Sequence, residues 1–196
     1  MSNTWIMSDS HIDDMTILKH RPYKSLKEMK DDIIKKNNEV VKNDDTVYCL
    51  GDYYVRRGHG KKNNANDYEK KFKGKWIYLL GNHESSSGAI KTDIFRINLK
   101  KGGIYINLQH RPQDIIIEDE KHYYPLNLIG HVHDKYRTQE VKNKKGKISL
   151  IINTSLDTNN YYPYSFNEIM GIYYGWLNNH PKKKEILSWI LESKRK

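Results

Sequence analysis

The sequence predicts an α/β fold, and three features carry that prediction. Short apolar runs recur along the chain, and each ends in polar residues, which is typical of buried strands that lead into surface loops. A segment with helical spacing of apolar residues lies between the first two runs. Two further helical segments follow the last run. The length of 196 residues suits one domain with a single sizeable core.

The individual elements follow from these patterns. Strands are predicted in "TWIMSD", "DDTVYCLGD", "GKWIYLLGNHE", "GIYINLQHRP", "YPLNLIGHVH" and "KISLIINTSLD". The turn "KNKKGK" predicts that the last of these strands pairs with a strand before it. "SLKEMKDDIIKKNNEVVK" predicts a helix that begins with a capping box formed by Ser25 and Glu28. "SFNEIMGIYYGWL" and "KKKEILSWILESK" predict terminal helices separated near His180 and Pro181.

Composition sets limits on the class of protein. The mean hydropathy of −0.88 is typical of a polar surface, and the longest apolar runs are far shorter than the roughly 20 residues that cross a bilayer. The beginning of the chain lacks the basic and then apolar pattern of an export signal. The only cysteine, Cys49, cannot form an internal disulfide and lies in an apolar run. We therefore expect a cytoplasmic protein with no membrane contact.

The chain is strongly basic, with 34 Lys and Arg against 24 Asp and Glu and a formal net charge of +10. Such a charge favours polyanions, including nucleic acids and phosphorylated molecules. An AT-rich gene would also give many lysines, asparagines and tyrosines, so this interpretation has an alternative without function. We predict one domain over residues 1–196, with a basic surface insertion at 56–75 and a C-terminal helical extension at 176–196.

Five predicted strand ends carry the same kind of polar residue. Because loops beyond the strand ends of an α/β sheet converge on one crevice, these residues are expected to meet in space. The candidates are Asp9, His11, Asp52, Asn82, His83, His110, His131 and His133.

Imidazole and carboxylate groups without thiolate favour Mn, Fe, Ni or Zn as bound ions. Seven ligands suffice for two ions, and a carboxylate can bridge ions about 3.5–4 Å apart. Asp52 is the predicted bridge. The glycines before Asp52, Asn82 and His131 would let the backbone approach the ions.

The segment "GHVH" contributes two of the candidates. In an extended segment, residues two apart lie on one side, so His131 and His133 would both face the crevice while Val132 packs behind them.

The motifs "DSH", "GD", "GNHE", a single histidine and "GHVH", in this order, resemble the calcineurin-like metallophosphoesterase superfamily. The flanking "RPYKSLKEM" and "NTSLDTNNYYPYSFNEI" are similar to small single-domain members of bacteria and phages, and the likeness covers most of residues 4–170. The resemblance implies a four-layer α/β/β/α sandwich of two mixed sheets flanked by helices.

The resemblance also implies the roles of the site residues. The first metal would be held by Asp9, His11, Asp52 and His133. The second metal would be held by Asp52, Asn82, His110 and His131. A metal-bridging hydroxide, with Mn as the expected metal, would attack phosphorus, and His83 would protonate or stabilise the leaving oxygen.

At two points the sequence departs from the family pattern, and both affect the roles that the resemblance implies. "GDYYVRRG" lacks the second aspartate that orients the catalytic histidine in protein phosphatases, so Glu84 or the backbone would have to orient His83. The first motif reads "DSHIDDM" where small relatives often have a second histidine, which makes Asp13 and Asp14 candidates for supporting groups. Arg111 could contact a substrate phosphate or be a surface arginine.

The expected reaction is hydrolysis of a phosphodiester in a nucleotide or nucleic acid. The alternatives are a phosphomonoesterase acting on a protein or small molecule, a non-catalytic metal-binding scaffold, and a nucleic-acid-binding protein with a structural metal. The expected partner is a phosphorylated small molecule or nucleic acid, in the host cytoplasm if the gene is viral. The sequence gives no indication of a protein partner.

Overall fold

The computed structural model describes residues 2–54, 69–83, 94, 96–101 and 103–194, and two mixed β-sheets form its centre. The strands are β1 (Thr4–Met7), β2 (Thr46–Cys49), β3 (Lys75–Tyr78), β4 (Arg96–Lys101), β5 (Ile104–Gln109), β6 (Leu126–Ile129), β7 (Thr138–Lys142), β8 (Ile148–Asn153) and β9 (Tyr164–Ser165). The α-helices are α1 (Leu26–Val40), α2 (Phe166–Asn179) and α3 (Lys183–Lys194). No helix in the described ranges is both long enough and apolar enough to cross a membrane.

The first sheet has the order β3-β2-β1-β9. Its first three strands are parallel, and β9 pairs antiparallel with β1. Met7, Val47 and Cys49 lie on one face of this sheet and share an apolar cluster with Met29 and Ile33 of α1. This packing confirms that Cys49, which is fully buried, belongs to the core.

The second sheet has the order β4-β5-β6-β8-β7. Strands β5, β6 and β8 are parallel, while β4 and β7 run antiparallel at the two edges. The partners Ile106, Leu126 and Leu150 are fully or almost fully buried, and they share an apolar cluster with Ile6 of the first sheet. The main core therefore joins the two sheets.

Helices α2 and α3 belong to the same core. Ile169 and Tyr173 of α2 and Ile186 of α3 are fully buried in that cluster. The predicted extension at 176–196 begins inside α2, which continues to Asn179, and α3 buries apolar side chains in the same cluster. The predicted fold, two mixed sheets flanked by helices, is confirmed.

Helix starts differ in detail from the prediction. Ser25 accepts a hydrogen bond from the Glu28 amide at 3.1 Å, as a cap should, but the Glu28 carboxylate accepts from the amide of Lys24 and not from that of Ser25. The reciprocal capping box predicted at α1 is therefore wrong. A complete capping box occurs at α2, between Ser165 and Glu168.

Some elements were not predicted or fall outside the described residues. The sequence did not indicate β4, in which the half-buried Ile97 and Leu99 alternate with exposed side chains, or β9, which has only two residues. Most of the predicted insertion at 56–75 lies outside the described residues. Its last part belongs to the core, because Phe72 is 7% exposed and Lys75 begins β3.

Candidate metal centre

The loops that follow β1 and β2 run side by side beyond the ends of the strands. The amide of Asp9 donates to the carbonyl of Gly51 at 3.0 Å, and the amide of His11 donates to the carbonyl of Asp52 at 3.0 Å. In the second sheet, the amide of Gly130 donates to the carbonyl of His110 at 3.1 Å. The parallel pairing thus continues into the loops that carry the candidate ligands.

At this edge of the molecule, the loop after β6 of the second sheet contacts the loop after β1 of the first sheet. The amide of His131, after β6, donates to both carboxylate oxygens of Asp9, after β1, at 3.0 Å each. The hydroxyl of Ser8 donates to the same carboxylate at 2.6 Å. Asp9 is fully buried, so these donors hold its carboxylate in one orientation.

The candidate ligands form overlapping groups. Within each group, one ligand atom from every residue lies within 4.8 Å of the others. The groups are Asp9, His11 and His133; His11, Asp52 and His83; and Asp52, His110 and His131. Asp52 belongs to two of the three groups and lies between the histidines of the two sheets.

Asn82 closes the second group. Its Oδ1 atom is 2.9 Å from Nε2 of His110 and 2.8 Å from Nδ1 of His131. The seven predicted ligands and His83 therefore lie around one crevice.

The backbone at most of these residues is strained. A positive φ is uncommon for residues other than glycine and costs on the order of 1–3 kcal/mol in such sparsely populated regions. Five of the seven candidates have it: Asp9 (57°), His11 (48°), Asp52 (54°), His131 (75°) and His133 (49°). Such strain is concentrated at functional sites.

The backbone of "GHVH" differs from the prediction. His131 and His133 both have left-handed φ values, so they are not the alternate residues of an extended segment. Strand β6 has already ended at Ile129. Val132 does pack behind them, 8% exposed, in a small cluster with Ile129 and Ile151.

Two glycines that precede candidate ligands lie where a side chain would clash. A Cβ at Gly51, whose φ is +94°, would lie 2.7 Å from Cα of Gly81 and 2.8 Å from Nδ1 of His110. A Cβ at Gly130 would lie 2.7 Å from the side chain of Ser8 and 2.8 Å from Oδ2 of Asp9. These glycines therefore let the loops pack against each other, which brings the ligands together.

Hydrogen bonds at Nδ1 fix the orientation of two imidazoles. Nδ1 of His110 lies 2.8 Å from the carbonyl oxygen of Leu50, which can only accept, so Nδ1 carries the hydrogen. Nδ1 of His11 lies 3.1 Å from the carboxylate of Asp14. Both arrangements leave Nε2 to face Asp52, at 3.2 Å for His110 and 3.7 Å for His11. Metal-binding histidines are commonly oriented in this way.

The donor set fits a divalent cation. Nε2 of His11 is buried and has no hydrogen-bond partner among the described atoms, which is costly for an imidazole nitrogen unless it binds something else. The surrounding oxygen and nitrogen atoms from Asp, Asn and His are those that Mn, Fe, Ni and Zn accept. Asp14, which the sequence indicated only as a possible supporting group, contacts Nδ1 of His11 and so can orient this imidazole toward a metal ion.

The electrostatics of the crevice favour positive charge. Burial tends to lower the pKa of His110, but its hydrogen bond to Asp52 and the charges of Asp9 and Asp52 outweigh burial and raise this pKa to about 9. Burial tends to raise the pKa of Asp52, but the hydrogen bond and charge of His110 hold it well below its usual range. A crevice that stabilises a proton on a buried imidazole also attracts metal cations.

Comparisons with known proteins agree with this geometry. The family model described as calcineurin-like phosphoesterase matches residues 2–194. The chain belongs to the calcineurin-like phosphoesterase family. It is accordingly a hydrolase of phosphoesters, and the match extends through α3, which the sequence motifs alone had left outside the resemblance.

Two relatives of this phosphoesterase cover most of its length. An uncharacterized protein of Methanocaldococcus jannaschii is 29% identical over 181 residues, which are 87% of this chain and 90% of the relative. The solved structure of a protein of unknown function from Aquifex aeolicus, AQ665, is 25% identical. It covers 88% of this chain and 100% of its own, with a TM-score of 0.61, and supports the fold.

The phosphoesterase has a supporting network that the sequence motifs did not reveal. Oδ2 of Asp157 lies 2.9 Å from Nδ1 of His133, and burial, which lowers the pKa of His133, is outweighed by this bond, which raises it. Arg21 donates to both oxygens of Asp157 at 2.8 Å. The same guanidinium donates to the carbonyls of Asp9, at 2.5 Å, and Ser10, at 2.9 Å. Arg21 thus connects the first motif, at Asp9 and Ser10, with the last motif, at His133, through Asp157.

His83 lies at the rim of the crevice. Its amide donates to Oδ1 of Asp52 at 3.0 Å, its Nε2 lies 3.8 Å from Oδ2 of Asp52, and its side chain is 21% exposed. Glu84, the predicted orienting group, lies outside the described residues. Asp13 lies 3.6 Å from the ammonium group of Lys30, and no metal-ligand group in the described part of the chain includes it.

A cavity of about 530 Å³ opens beside the crevice. It is lined by Leu80, Gly81, Arg96, Gln109, His110, Arg111 and Asp114. Arg111, which the sequence offered as a possible phosphate contact, therefore lies next to the ligand set. Tyr53 packs against Trp76 and Tyr78 and is 1% exposed, so it cannot stack on a substrate ring.

Proposed function

We propose that this protein is a dinuclear metal-dependent phosphohydrolase. The observation that carries the proposal is the position of Asp52, whose carboxylate is shared by ligand groups from the first and the second sheet. A short carboxylate between two sets of imidazoles is the arrangement that a bridged pair of ions requires. The strained backbone of Asp52 and of four other candidate ligands supports the same proposal.

The proposed assignment follows the two sides of the crevice. Asp9, His11, Asp52 and His133 would hold one ion. Asp52, Asn82, His110 and His131 would hold the other. Mn²⁺ is the first ion to test, and Fe, Ni and Zn suit the same donors. Two such cations, when bound, supply an activated water and neutralise charge that develops on the phosphoryl oxygens.

The chain's own residues divide the remaining work. In the hydrolysis, water adds to phosphorus, the P–O bond to the leaving group breaks, and the leaving oxygen takes up a proton. His83 is the proposed donor to that oxygen, because its imidazole is partly exposed at the rim and its backbone is held by Asp52. Asp14 and Asp157 orient His11 and His133, so that their other ring nitrogens face the crevice.

The proposed substrate is a phosphodiester in a nucleotide or nucleic acid. The formal charge of +10 favours a polyanion, and the cavity beside His110 offers room for groups on the far side of the scissile bond. A phosphomonoester has no group beyond the reacting phosphate that would occupy this cavity, and it carries fewer phosphates than a nucleic acid to interact with the positive charge. The proposed substrate class therefore follows from charge and space, while the reaction class follows from the ligand set.

The proposal can be tested with purified protein that has been stripped of metal and reloaded in turn with Mn²⁺, Fe²⁺, Ni²⁺ and Zn²⁺. The substrates are bis-p-nitrophenyl phosphate, p-nitrophenyl phosphate, cyclic nucleotides and short oligonucleotides. We expect metal-dependent cleavage with the diesters preferred. Preference for the monoester would show that the protein acts as a phosphatase and not as a diesterase. No cleavage of any substrate with any of the four metals would contradict the proposed enzymatic activity and favour a metal-binding scaffold.

His83→Ala is the informative variant and His122→Ala its matched control. His122 is a partly exposed histidine whose ring packs at a tilt of 53° against Tyr105, away from the crevice. General acid catalysis contributes typically 10²–10⁴-fold, so His83→Ala should lower kcat by about that factor while metal content stays unchanged. Equal activity of the two variants would remove His83 from the mechanism and leave the metal assignment intact.

A further inference from the structure

The cavity beside His110 is bordered by two strands and the start of the loop after them. Arg96 begins β4, Gln109 ends β5, and these two residues are paired in the antiparallel ladder. His110 and Arg111 follow directly. The cavity therefore shares His110 with the candidate metal centre, and a molecule that occupies it would be continuous with one bound at the ligands.

The charges that line the cavity are unequal. Arg96 and Arg111 each carry a guanidinium, and Asp114 is the one acidic residue among the lining side chains that the structure describes. Both arginines are exposed to solvent. In the described ranges, neither guanidinium donates a hydrogen bond or forms an ion pair with a carboxylate. Each guanidinium can therefore offer its planar fork of N–H donors to a ligand.

The backbone beneath the two arginines is fixed. Gln109 is 3% exposed, and its Nε2 atom donates to the carbonyl of Arg111 at 2.5 Å. Its Oε1 atom accepts from Nδ2 of Asn107 at 2.8 Å. The backbone of Arg111 is thus held by a buried side chain and that of Arg96 by its ladder pairing with Gln109, which lowers the backbone entropy lost when the arginines bind a ligand.

We propose that this cavity binds a second, non-scissile phosphate of the substrate through Arg96 and Arg111. The inference rests on the proposed function and makes the substrate more specific: an oligonucleotide whose neighbouring phosphate enters the cavity while the scissile phosphodiester lies at the metal centre. Arginine suits this role because its planar donors match two oxygens of a phosphate group. Since the second phosphate does not react, its binding should act mainly on KM.

The test compares dinucleotides that differ by one phosphate. The substrates are dTpdT and the same dinucleotide with a 5′-phosphate or with a 3′-phosphate, each assayed with the Mn²⁺-loaded protein. We expect kcat/KM for one of the phosphorylated forms to exceed that for dTpdT by about tenfold or more, through a lower KM. Which form is preferred gives the polarity of the bound strand.

The variant that decides is Arg96→Ala/Arg111→Ala, in which the ratio between phosphorylated and unphosphorylated dinucleotide should fall to about one. The single variants provide the same measurement if the double variant does not fold, and Arg96→Lys/Arg111→Lys should keep part of the ratio because it keeps the charge. Lys142→Ala, an exposed cation on β7, is the control that keeps the wild-type ratio.

Failure of the inference can be told apart from failure of the proposed function. If the wild type cleaves dTpdT and both phosphorylated forms equally, or if the preference survives in the double variant, the cavity does not bind a second phosphate. In both cases cleavage itself still supports the phosphodiesterase. If none of the three dinucleotides is cleaved while bis-p-nitrophenyl phosphate is, the inference is overturned and the phosphohydrolase stands; if that diester also stays intact, both are overturned.

Discussion

Asp157 accepts a hydrogen bond from Nδ1 of His133 at 2.9 Å, and it is held from the other side by Arg21, whose side chain is completely buried. The carboxylate thus lies between a candidate metal ligand and a guanidinium that also binds the backbone carbonyls of Asp9 and Ser10. Because Arg21 contacts the first motif directly and the last motif through Asp157, the network determines how the two loops lie relative to each other.

Asp157→Asn should weaken metal binding with little change in shape. One carboxylate oxygen becomes an NH₂ group, which cannot accept, so Arg21 loses one of its two acceptors, and His133 also loses its acceptor if this group replaces Oδ2. Loss of such a supporting group typically costs 10–100-fold in metal affinity, and we expect about that loss in a calorimetric titration with Mn²⁺.

Asp134→Asn is the matched control for this change. Asp134 follows His133 directly but is exposed, and its substitution should leave the affinity unaltered. Equal affinities of the Asp157→Asn and wild-type proteins would contradict the positioning role, even if the variant unfolds at a lower temperature.

A second prediction concerns stability and pH, through Asp45. This residue is 1% exposed, and its carboxylate accepts from the amides of Asn3 and Lys42 and from Nε1 of Trp5. Burial tends to raise the pKa of Asp45, but these hydrogen bonds outweigh burial and lower it. A lowered carboxyl pKa in the folded state adds stability above the unfolded pKa of about 3.9, and this stability is lost as pH falls through the folded pKa.

Asp45→Asn should therefore lower the free energy of unfolding by about 1–3 kcal/mol at pH 7, and this loss should shrink as the pH falls below about 3.9. Urea unfolding of the metal-free protein at several pH values measures the difference. Asp44→Asn, at an exposed neighbouring position, serves as the control with little change at any pH. If the loss of unfolding free energy in Asp45→Asn stayed constant with pH, the ionised carboxylate of Asp45 would not be the form that stabilises the protein.

Apolar runs that end in Asp, Asn or His were sufficient to locate most strand ends and to predict which loops converge, whereas the two mixed sheets were predicted from the family resemblance, and β4 and β9 were not predicted. The sequence could not reveal the contact between Arg21 and Asp157, which lie 136 positions apart and are brought together by the tertiary fold. Nor could it reveal the left-handed backbone of His131 and His133, because the usual indicator of such a conformation is glycine. The extended geometry expected for "GHVH" was wrong for that reason.

A third prediction uses two glycines in different surroundings. A Cβ at Gly130 would lie 2.7 Å from Cβ and Oγ of Ser8 and 2.8 Å from Oδ2 of Asp9. Gly130→Ala should therefore displace the Asp9 carboxylate, lower the free energy of unfolding by about 1–3 kcal/mol and weaken metal binding. Thermal unfolding with and without Mn²⁺ measures both effects.

Gly171→Ala is the control for added volume, because a Cβ at this position of α2 would meet no described atom within 4 Å beyond the helix itself. This change should stabilise the protein by roughly 0.5–1 kcal/mol, since alanine favours a helix more than glycine does. If Gly130→Ala bound Mn²⁺ like the wild type, the close contact between the two loops would not be needed to place Asp9.

The last prediction separates a two-ion centre from two independent sites, through the metal content of three variants. His133 belongs to one ligand group and His131 to another, whereas Asp52 takes part in the groups on both sides. His133→Ala and His131→Ala should therefore each lose one ion and retain the other. Asp52→Ala should lose both, because the carboxylate that would join the ions is absent. Plasma mass spectrometry after dialysis gives the number of ions per chain, and unfolding in the presence of EDTA verifies that each variant is folded. Two ions retained by folded Asp52→Ala would contradict a bridging carboxylate and leave two separate sites that happen to share a crevice.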